Sequence, residues 1–421
     1  MSGMTHFNSG QGLRYGLLGL PLAFVALPLY VILPNHYARE FGVPLATLGL
    51  VLLLARLLDA FIDPLIGRYS DRLFGRSTGA VLGFGAMCAL VLAAGFAGLF
   101  FPPTRDPLML VAWCAGVLAV TYAAYSGLSV AHQSWGAMLG GDENMRSRVV
   151  AWREGLGLLG VVLASVAPLP LGLTATVTMF WVFLLVAWWS WSRASAPIAT
   201  AKSQVGDLWL PFRRSAFRRL LAVFVVNGIA SAIPATLVLF FVQDRLQAPK
   251  SIEAAALAIY FACAAVSMPL WLRLVRHWGL ARSWMLGMLL AIAAFLGALW
   301  LGPGDAPIFL VVCAFSGLAL GTDLALPGAM LAGVIQQSGD RGKAEGAYFG
   351  WWNFATKINL ALAAGLALPV LGLFGYSPGT QSPAALSVLT LAYCLLPCLL
   401  KLGAVGLLYR NIIRLPAQGH P

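Results

Sequence analysis

The stretch GLVLLLARLLDAFIDPLIG, residues 49–67, reads as a membrane-spanning helix that carries charge. Nineteen residues are about enough to cross a bilayer, which needs roughly 20 apolar positions. Asp59 and Asp63 sit one helical turn apart within it, and Arg56 lies three residues before the first. A spacing of i, i+3 and i+7 puts the three side chains on one helix face. A carboxylate near the bilayer centre costs at least ~2.5 kcal/mol, so two on one face call for a cation, a proton or a protein partner. The stretch therefore implies a membrane protein that handles a cation.

The rest of the chain agrees. Of its 421 residues 60% are hydrophobic and only 10% charged, a balance that excludes an ordinary soluble domain. Twelve stretches are long enough to span: 12–33, 44–66, 78–100, 108–131, 154–173, 175–192, 220–242, 253–274, 281–301, 307–335, 344–371 and 384–409. The break between the fifth and sixth is weak, resting on PLPLGLTAT at 168–176. The expected fold class is an all-α membrane protein of twelve helices.

The formal net charge of +12 does not indicate nucleic acid, because its distribution is topological. Arg39, Arg105, Arg245 and Lys250 fall on one side, and Arg56, Lys357 and Lys401 within spans. Every other Lys and Arg falls at the N-terminus, in the even-to-odd loops, at the span edges facing those segments (Arg14, Arg273, Arg282) or in the C-terminal tail. By the positive-inside rule this puts both termini in the cytoplasm. The apolar run near the N-terminus is long enough to be a retained span rather than a cleaved signal. The six cysteines all fall in predicted spans with no metal-ligand spacing, and Cys394 and Cys398, on one helix face, read as apolar packing.

The longest interior hydrophilic segment, 193–219, divides the chain into residues 1–192 and 220–421, six spans each. Span two leaves the membrane as PLIGRYSDRLFGR from Pro64, and span eight as PLWLRLVRHWGLAR from Pro269. Each has an arginine four residues after the proline, Arg68 and Arg273, then a basic turn with Gly75 or Gly279. With the prolines aligned, Asp59 and Asp63 correspond to Ala264 and Met268, so the acidic pair belongs to the first half alone. GxxxG spacings at Gly79/Gly83, Gly317/Gly321 and Gly346/Gly350 suit close helix packing in lipid.

Two motifs carry a family resemblance. RLLDAFIDPLIGRYSDRLFGR, with its Asp-x-x-x-Asp-Pro element at Asp59, Asp63 and Pro64, resembles helix two of the glycoside–pentoside–hexuronide:cation symporters, the melibiose-permease group of the major facilitator superfamily. LPGAMLAGVIQQSGDRGKAEGAYFGWWNFATKINLALAAG, residues 326–365, resembles the same group's pattern of a proline, AMLA, an EG-x-x-FG-x-W turn and a helix-eleven lysine, here Lys357. The resemblance implies two six-helix halves that rock around a midplane site, the design for which this superfamily is a standard example. It implies that Asp59 and Asp63 bind the coupling cation, Na⁺ or H⁺, with Lys357 near them. The alternative is a permanent salt bridge among Arg56, Asp59, Asp63 and Lys357 that only fixes packing. Because Lys357 and Arg56 together can keep both acids ionised, Na⁺ is the expected ion.

Further candidates line a solute path. Arg153, in AWREGLG, matches a family arginine that helps hold sugar; read alone, it equally suits snorkelling to headgroups. Its neighbour Glu154 points, by helix geometry, to another face, as a solvated or interhelical partner. Asp323, in GTDLALPG, is an isolated intramembrane acid and is expected at a cavity, in contact with solute or proton, or else as a helix cap at the Pro327 break. Trp352 and Asn353 fall where the family places substrate-facing residues, though an indole near a membrane end also suits an interface anchor. Span four offers Tyr122, Tyr125, His132 and Gln133, with His132 expected as a core hydrogen bonder.

The chain departs from the family at telling places. Characterised sugar transporters of the group grip galactosides with carboxylates on helices one and four, and neither span has one here. The same fold and cation aspartates occur in vertebrate lysophospholipid symporters, so a lysolipid or other amphipathic solute is the alternative cargo. No phosphate-binding glycine loop, nucleophile elbow or HExxH occurs, which argues against an enzyme, and no loop is long enough for a sensor's output domain. The expectation is a monomeric, cofactor-free carrier in a bacterial inner membrane, whose partners are its solute and the surrounding lipid.

Overall fold

The computed structural model describes residues 8–43, 45–166, 168–197, 207–376 and 379–414. Among these residues the structure is helical throughout, and the helices follow the twelve expected spans. Residues 198–206 of the basic segment 193–219 lie outside the described residues. The first helix, α1, is built of Ser9–Gly16, Gly19–Leu27 and Leu33–Glu40, with a wide turn at Pro28–Ile32. Then come α2 (Leu45–Phe74), α3 (Thr78–Phe100), α4 (Pro107–Met138), α5 (Glu143–Val166) and α6 (Gly172–Ser192). In the second part of the chain α7 is Ser215–Phe240, and Lys250–Gly297 holds both α8 (250–278) and α9 (280–297). They are followed by α10 (Ala306–Gln337), α11 (Glu345–Leu373) and α12, built of Pro383–Thr390, Leu391–Leu395 and Leu396–Leu408.

Glycine makes the two breaks that the apolar pattern barely marks. Gly172 (φ 76°, ψ 172°) separates α6 from the helical residues before it, inside the PLPLGLTAT stretch. Gly279 (φ 77°, ψ 171°) divides α8 from α9 with nearly the same backbone shape. That region of φ is strained for any residue with a Cβ, so each short connection depends on glycine. Among the described residues, seven helical segments are long and apolar enough to cross a membrane by length and composition alone.

The chain forms two compact units. The first is Met1–Arg213 with Ala332–Phe354, and the second is Arg214–Leu331 with Ala355–Pro421. The boundary differs from a simple cut at the basic segment. The end of α10 and the first turns of α11 go with the first unit.

Specific bonds explain why. The Asp71 carboxylate, at the end of α2, accepts from the backbone N–H of Gly346 (2.6 Å) and Ala347 (2.9 Å) at the start of α11. Arg341 donates to the Met138 carbonyl (2.9 Å), and Arg146 to the Gln336 amide oxygen (3.3 Å). α2 and α11 then cross without side chains between them. A Cβ on Gly67 would lie 1.9 Å from the Gly346 carbonyl oxygen, and one on Gly350 2.6 Å from that of Asp63. Small residues at such a crossing let two backbones touch.

Each unit has its own apolar core. In the first, Phe24, Phe96 and Phe180 pack together, and Trp135 meets Trp191 with rings 5.3 Å apart. In the second, Phe241, Phe295 and Phe309 surround Tyr393. Ala264 and Met268, the counterparts of the acidic pair, are buried on α8.

Candidate functional site

α2 carries the acidic pair inward. Asp59 and Asp63 are both buried, Asp63 completely, whereas Arg56 on the same helix is exposed. Side chains at i and i+4 have Cβ atoms roughly 6 Å apart, so the two carboxylates are neighbours. The first has a hydroxyl partner on the next helix of the core: Ser126 of α4 donates to Asp59 Oδ1 at 2.7 Å. Tyr122, one turn before Ser126, is also buried. Among the described residues no group of three or more His, Cys, Asp and Glu is placed to hold a metal ion. A pair of carboxylates with a hydroxyl is instead an oxygen-only environment, and such groups within a membrane mark ion pathways. Ser126 had a sequence signal only in hindsight, as a small hydroxyl on the helix that packs against α2.

The rest of the first unit sets a polar strip along α4 and α5. Gln133 donates to Ser129 at 2.9 Å. Arg153 is largely buried rather than reaching for headgroups, and it bonds Glu154 at 2.6 Å through Nη2 and 2.9 Å through Nε. Glu154 thus pairs with its own neighbour on the helix and stays partly exposed. Adjacent residues on a helix point about 100° apart, but two long side chains span that gap. Tyr15 of α1 lies against Arg153, and its hydroxyl donates to the His132 carbonyl at 3.1 Å. The His132 ring is fully buried, meets the Tyr15 carbonyl at 2.8 Å and packs on Tyr15 and Trp191, as a core residue does. Trp352 is buried rather than anchored at an interface, and Asn353 is half-buried beside it.

The second unit holds a cluster that sequence reading saw only in part. Asp323 of α10 is not an isolated acid. Its Oδ1 accepts from Asn227 of α7 (2.9 Å) and Trp284 of α9 (2.8 Å). Its Oδ2 accepts from Ser231 of α7 (3.1 Å) and from the Lys401 ammonium of α12 (3.1 Å). Lys401 also donates to Asn227 Oδ1 (2.8 Å) and Ser231 Oγ (2.9 Å). Four helices thus meet at one ion pair. The signal was present: Lys401 is one of three basic residues within predicted spans, and an intramembrane ammonium needs a carboxylate. Lys357, half-buried on α11, belongs to this second unit, and Asp59 and Asp63 to the first.

Beyond the 44–66 span, Asp71 caps α11 as described above. Burial pushes its carboxyl well above the ordinary carboxylate range and nearby Glu345 adds to this, while the Gly346 and Ala347 N–H groups pull it back down. Its place in GRYSDRLFGR was legible, but its role as a cap was not, since the partner lies 275 residues away.

Twelve helices with an acidic face on the second and a basic, proline-led exit from it are matched by a family model described as MFS/sugar transport protein, over residues 14–414. The chain belongs to that family. The resemblance to the glycoside–pentoside–hexuronide:cation symporters is borne out, and the protein is a membrane transporter rather than an enzyme. Relatives are distant but nearly full-length. "Putative glycoside/cation symporter YagG" of Escherichia coli is 21% identical over 95% of this chain and 91% of its own length. "Putative sulfoquinovose importer" of Salmonella typhimurium is 24% identical over 89% and 84%. Among solved structures, the Escherichia coli fucose:proton symporter FucP is similar with a TM-score of 0.67 and 16% identity, covering 93% of this chain and 98% of that one. A bacterial homologue of the iron transporter ferroportin, in an outward-facing state, gives 0.69 and 17%, covering 95% and 100%. At such identities these structures speak for the major facilitator fold alone.

Proposed function

We propose that this protein is a cation-coupled symporter of a small solute of the sugar or glycoside class. The observation that carries the proposal is the buried pair Asp59 and Asp63 on α2, with Ser126 on the first carboxylate. Two desolvated acids on one helix face call for a cation, a proton or a protein partner, and exchange with a cation during the work cycle is the role this reading gives them. The solute class rests on the family and on the printed descriptions of its relatives, which name glycosides and sulfoquinovose.

Na⁺ is the coupling ion in this reading. Carboxylate and hydroxyl oxygens suit a hard cation, and Lys357 and Arg56 are the basic groups that favour the ionised acids when it leaves. Cation binding raises solute affinity, and the carrier reorients when fully loaded or empty. It sits in a bacterial inner membrane as a monomer, with both termini cytoplasmic and no cofactor beyond the ion. Arg153, Gln133, Tyr122, Trp352 and Asn353 are the solute-facing side chains in the first unit.

Asp59→Asn and Asp63→Asn test the core of this reading, since Asn keeps size and hydrogen bonding but not charge. In reconstituted vesicles each variant is expected to lose gradient-driven accumulation while keeping equilibrium solute binding. Full Na⁺-driven accumulation by both variants would overturn it. Uptake that follows a pH gradient and ignores Na⁺ would replace the ion.

A further inference from the structure

The second unit contains a cavity of about 210 Å³ enclosed by α7, α8, α9, α10 and α12. One end is polar and holds Asp323, Lys401 and Ser231; the remaining wall is mostly apolar and includes the aromatic rings of Tyr260, Phe261, Phe295 and Tyr393. An apolar hollow with a few convergent polar groups is the usual form of a small-molecule site. Every group lining it belongs to this unit, and none of them is on α2.

The charge state of the polar end narrows the ligand. Asp323 accepts four hydrogen bonds, two at each oxygen, and a carboxylate has about four lone-pair sites. Lys401 has three donors, and all three are engaged, by Asn227, Ser231 and Asp323. The pair is electrically neutral and its hydrogen bonds are complete. Of the two side chains, Asp323 keeps 15% exposure and Lys401 3%, so the carboxylate edge is what the cavity meets. A cationic solute at that edge would compete with an ammonium already in place and leave two positive charges on one carboxylate. An anionic solute would meet the carboxylate first. Either would break or oppose a buried pair, the kind of change that is strongly unfavourable. An uncharged solute disturbs nothing. Its hydroxyls can lie beside the satisfied pair and bond the hydroxyls of Ser231, Ser316, Tyr260 and Tyr393, while its apolar face lies on the rings.

We propose that this cavity is a binding site for an uncharged amphipathic glycoside, and that the Asp323–Lys401 pair acts as a filter against charged solutes. The proposal deepens the symporter reading and rests on it for the solute class.

Three ligands that differ only at one carbon of the sugar test it: a phenyl glycoside, its 6-amino-6-deoxy analogue and the corresponding phenyl glycuronide, each in the gluco and galacto series. Binding is read by isothermal titration to the purified full chain in detergent, with and without Na⁺. The neutral compound of at least one series should bind at least about tenfold more tightly than either charged analogue, the minimum that opposing a buried pair implies. Lys401→Met leaves the carboxylate uncompensated, and the order should shift toward the amino sugar. Asp323→Asn leaves the ammonium, and the order should shift toward the glycuronide. Should either charge variant fail to fold, Leu320→Trp, which narrows the cavity and leaves the pair alone, should weaken the neutral ligand about tenfold or more. No binding of any neutral compound, equal binding of all three charge forms, or binding untouched by Leu320→Trp overturns the site. The same titration on Asp59→Asn separates the two proposals: neutral-selective binding that persists there, together with accumulation that also persists, sinks the cation site and leaves this one standing.

Discussion

The two units bury their charges in opposite ways. On α2 in the first, two carboxylates occupy successive turns, and Ser126 donates to the first of them. In the second, one carboxylate and one ammonium share a full set of hydrogen bonds from four helices. A helix face with two acids gains when a cation arrives and loses when it departs, so its energy depends on cargo. A saturated neutral pair gains nothing from an added ion. On the two proposals made above, buried charge in this carrier has two uses, exchange and selection, and the local balance of charge tells them apart.

The sharpest way to break that contrast is to neutralise each acid in turn. Asp59→Asn and Asp63→Asn should reduce Na⁺-driven accumulation to near the equilibrium level, the largest effect expected. Asp323→Asn should leave whatever solute still binds coupled to the gradient. Vesicle uptake with and without an imposed Na⁺ gradient measures both. If Asp323→Asn uncouples as fully as the α2 variants, the division between exchange and selection fails.

Stability sharpens the comparison next. Lys401→Met strands the Asp323 carboxylate among Asn227, Ser231 and Trp284, and breaking a buried pair from one side costs about 3–5 kcal/mol. The double variant Lys401→Met with Asp323→Asn removes both charges and should recover most of that loss. Thermal or denaturant unfolding in a fixed detergent reads the difference. A double variant no more stable than the single one would mean the pair is not the source of the cost.

Helix contacts give a smaller, cleaner effect. Gly67→Ala puts a methyl group 1.9 Å from the Gly346 carbonyl oxygen, and overpacking of this kind costs about 1–3 kcal/mol. At Gly83 an added Cβ meets nothing within 4 Å, so Gly83→Ala should be neutral or slightly stabilising. Equal unfolding midpoints for the two alanine variants would refute the close crossing of α2 and α11.

That last pair of variants also shows where sequence reading stops. GxxxG occurs at Gly79/Gly83, Gly317/Gly321 and Gly346/Gly350 alike, yet only the latter two press against a neighbouring helix, Gly317 on the Tyr260 carbonyl and Gly350 on that of Asp63. Spacing places small residues on one face; it does not say whether that face meets protein or lipid. The twelve helices were legible because each span must satisfy its own backbone, which ties fold to local hydrophobicity. The acidic face of α2 was legible because charge is rare in such a segment. The partners were not. Ser126, Asn227 and Trp284 are ordinary residues whose meaning comes only from the helix opposite, and Lys401 was visible but had several acids it might serve. The glycine breaks at 172 and 279 were half legible, as a weak turn in one case and a basic turn in the other.

The smallest effect concerns the Asp71 cap, outside the acidic face and the ion pair alike. Burial raises the Asp71 carboxyl well above its ordinary range despite two backbone N–H bonds, so in the folded protein the charge is held at a cost. A folded-state value above the unfolded one means that the folded chain holds a proton the unfolded chain has released. The associated stability is fully present below the unfolded value, near ~3.9, and is lost as pH rises through the raised folded value. Asp71→Asn removes the titration. Its unfolding midpoint should therefore lack that component of decline with rising pH, while at low pH, where both side chains are neutral, it should differ from the parent by no more than about 1 kcal/mol, the usual size of a neutral hydrogen bond. Midpoints measured across mildly acidic to neutral pH decide it. Parallel pH curves for the two proteins would show that the N–H bonds and the α11 terminus hold Asp71 ionised throughout, and that burial is not the winning influence at this position.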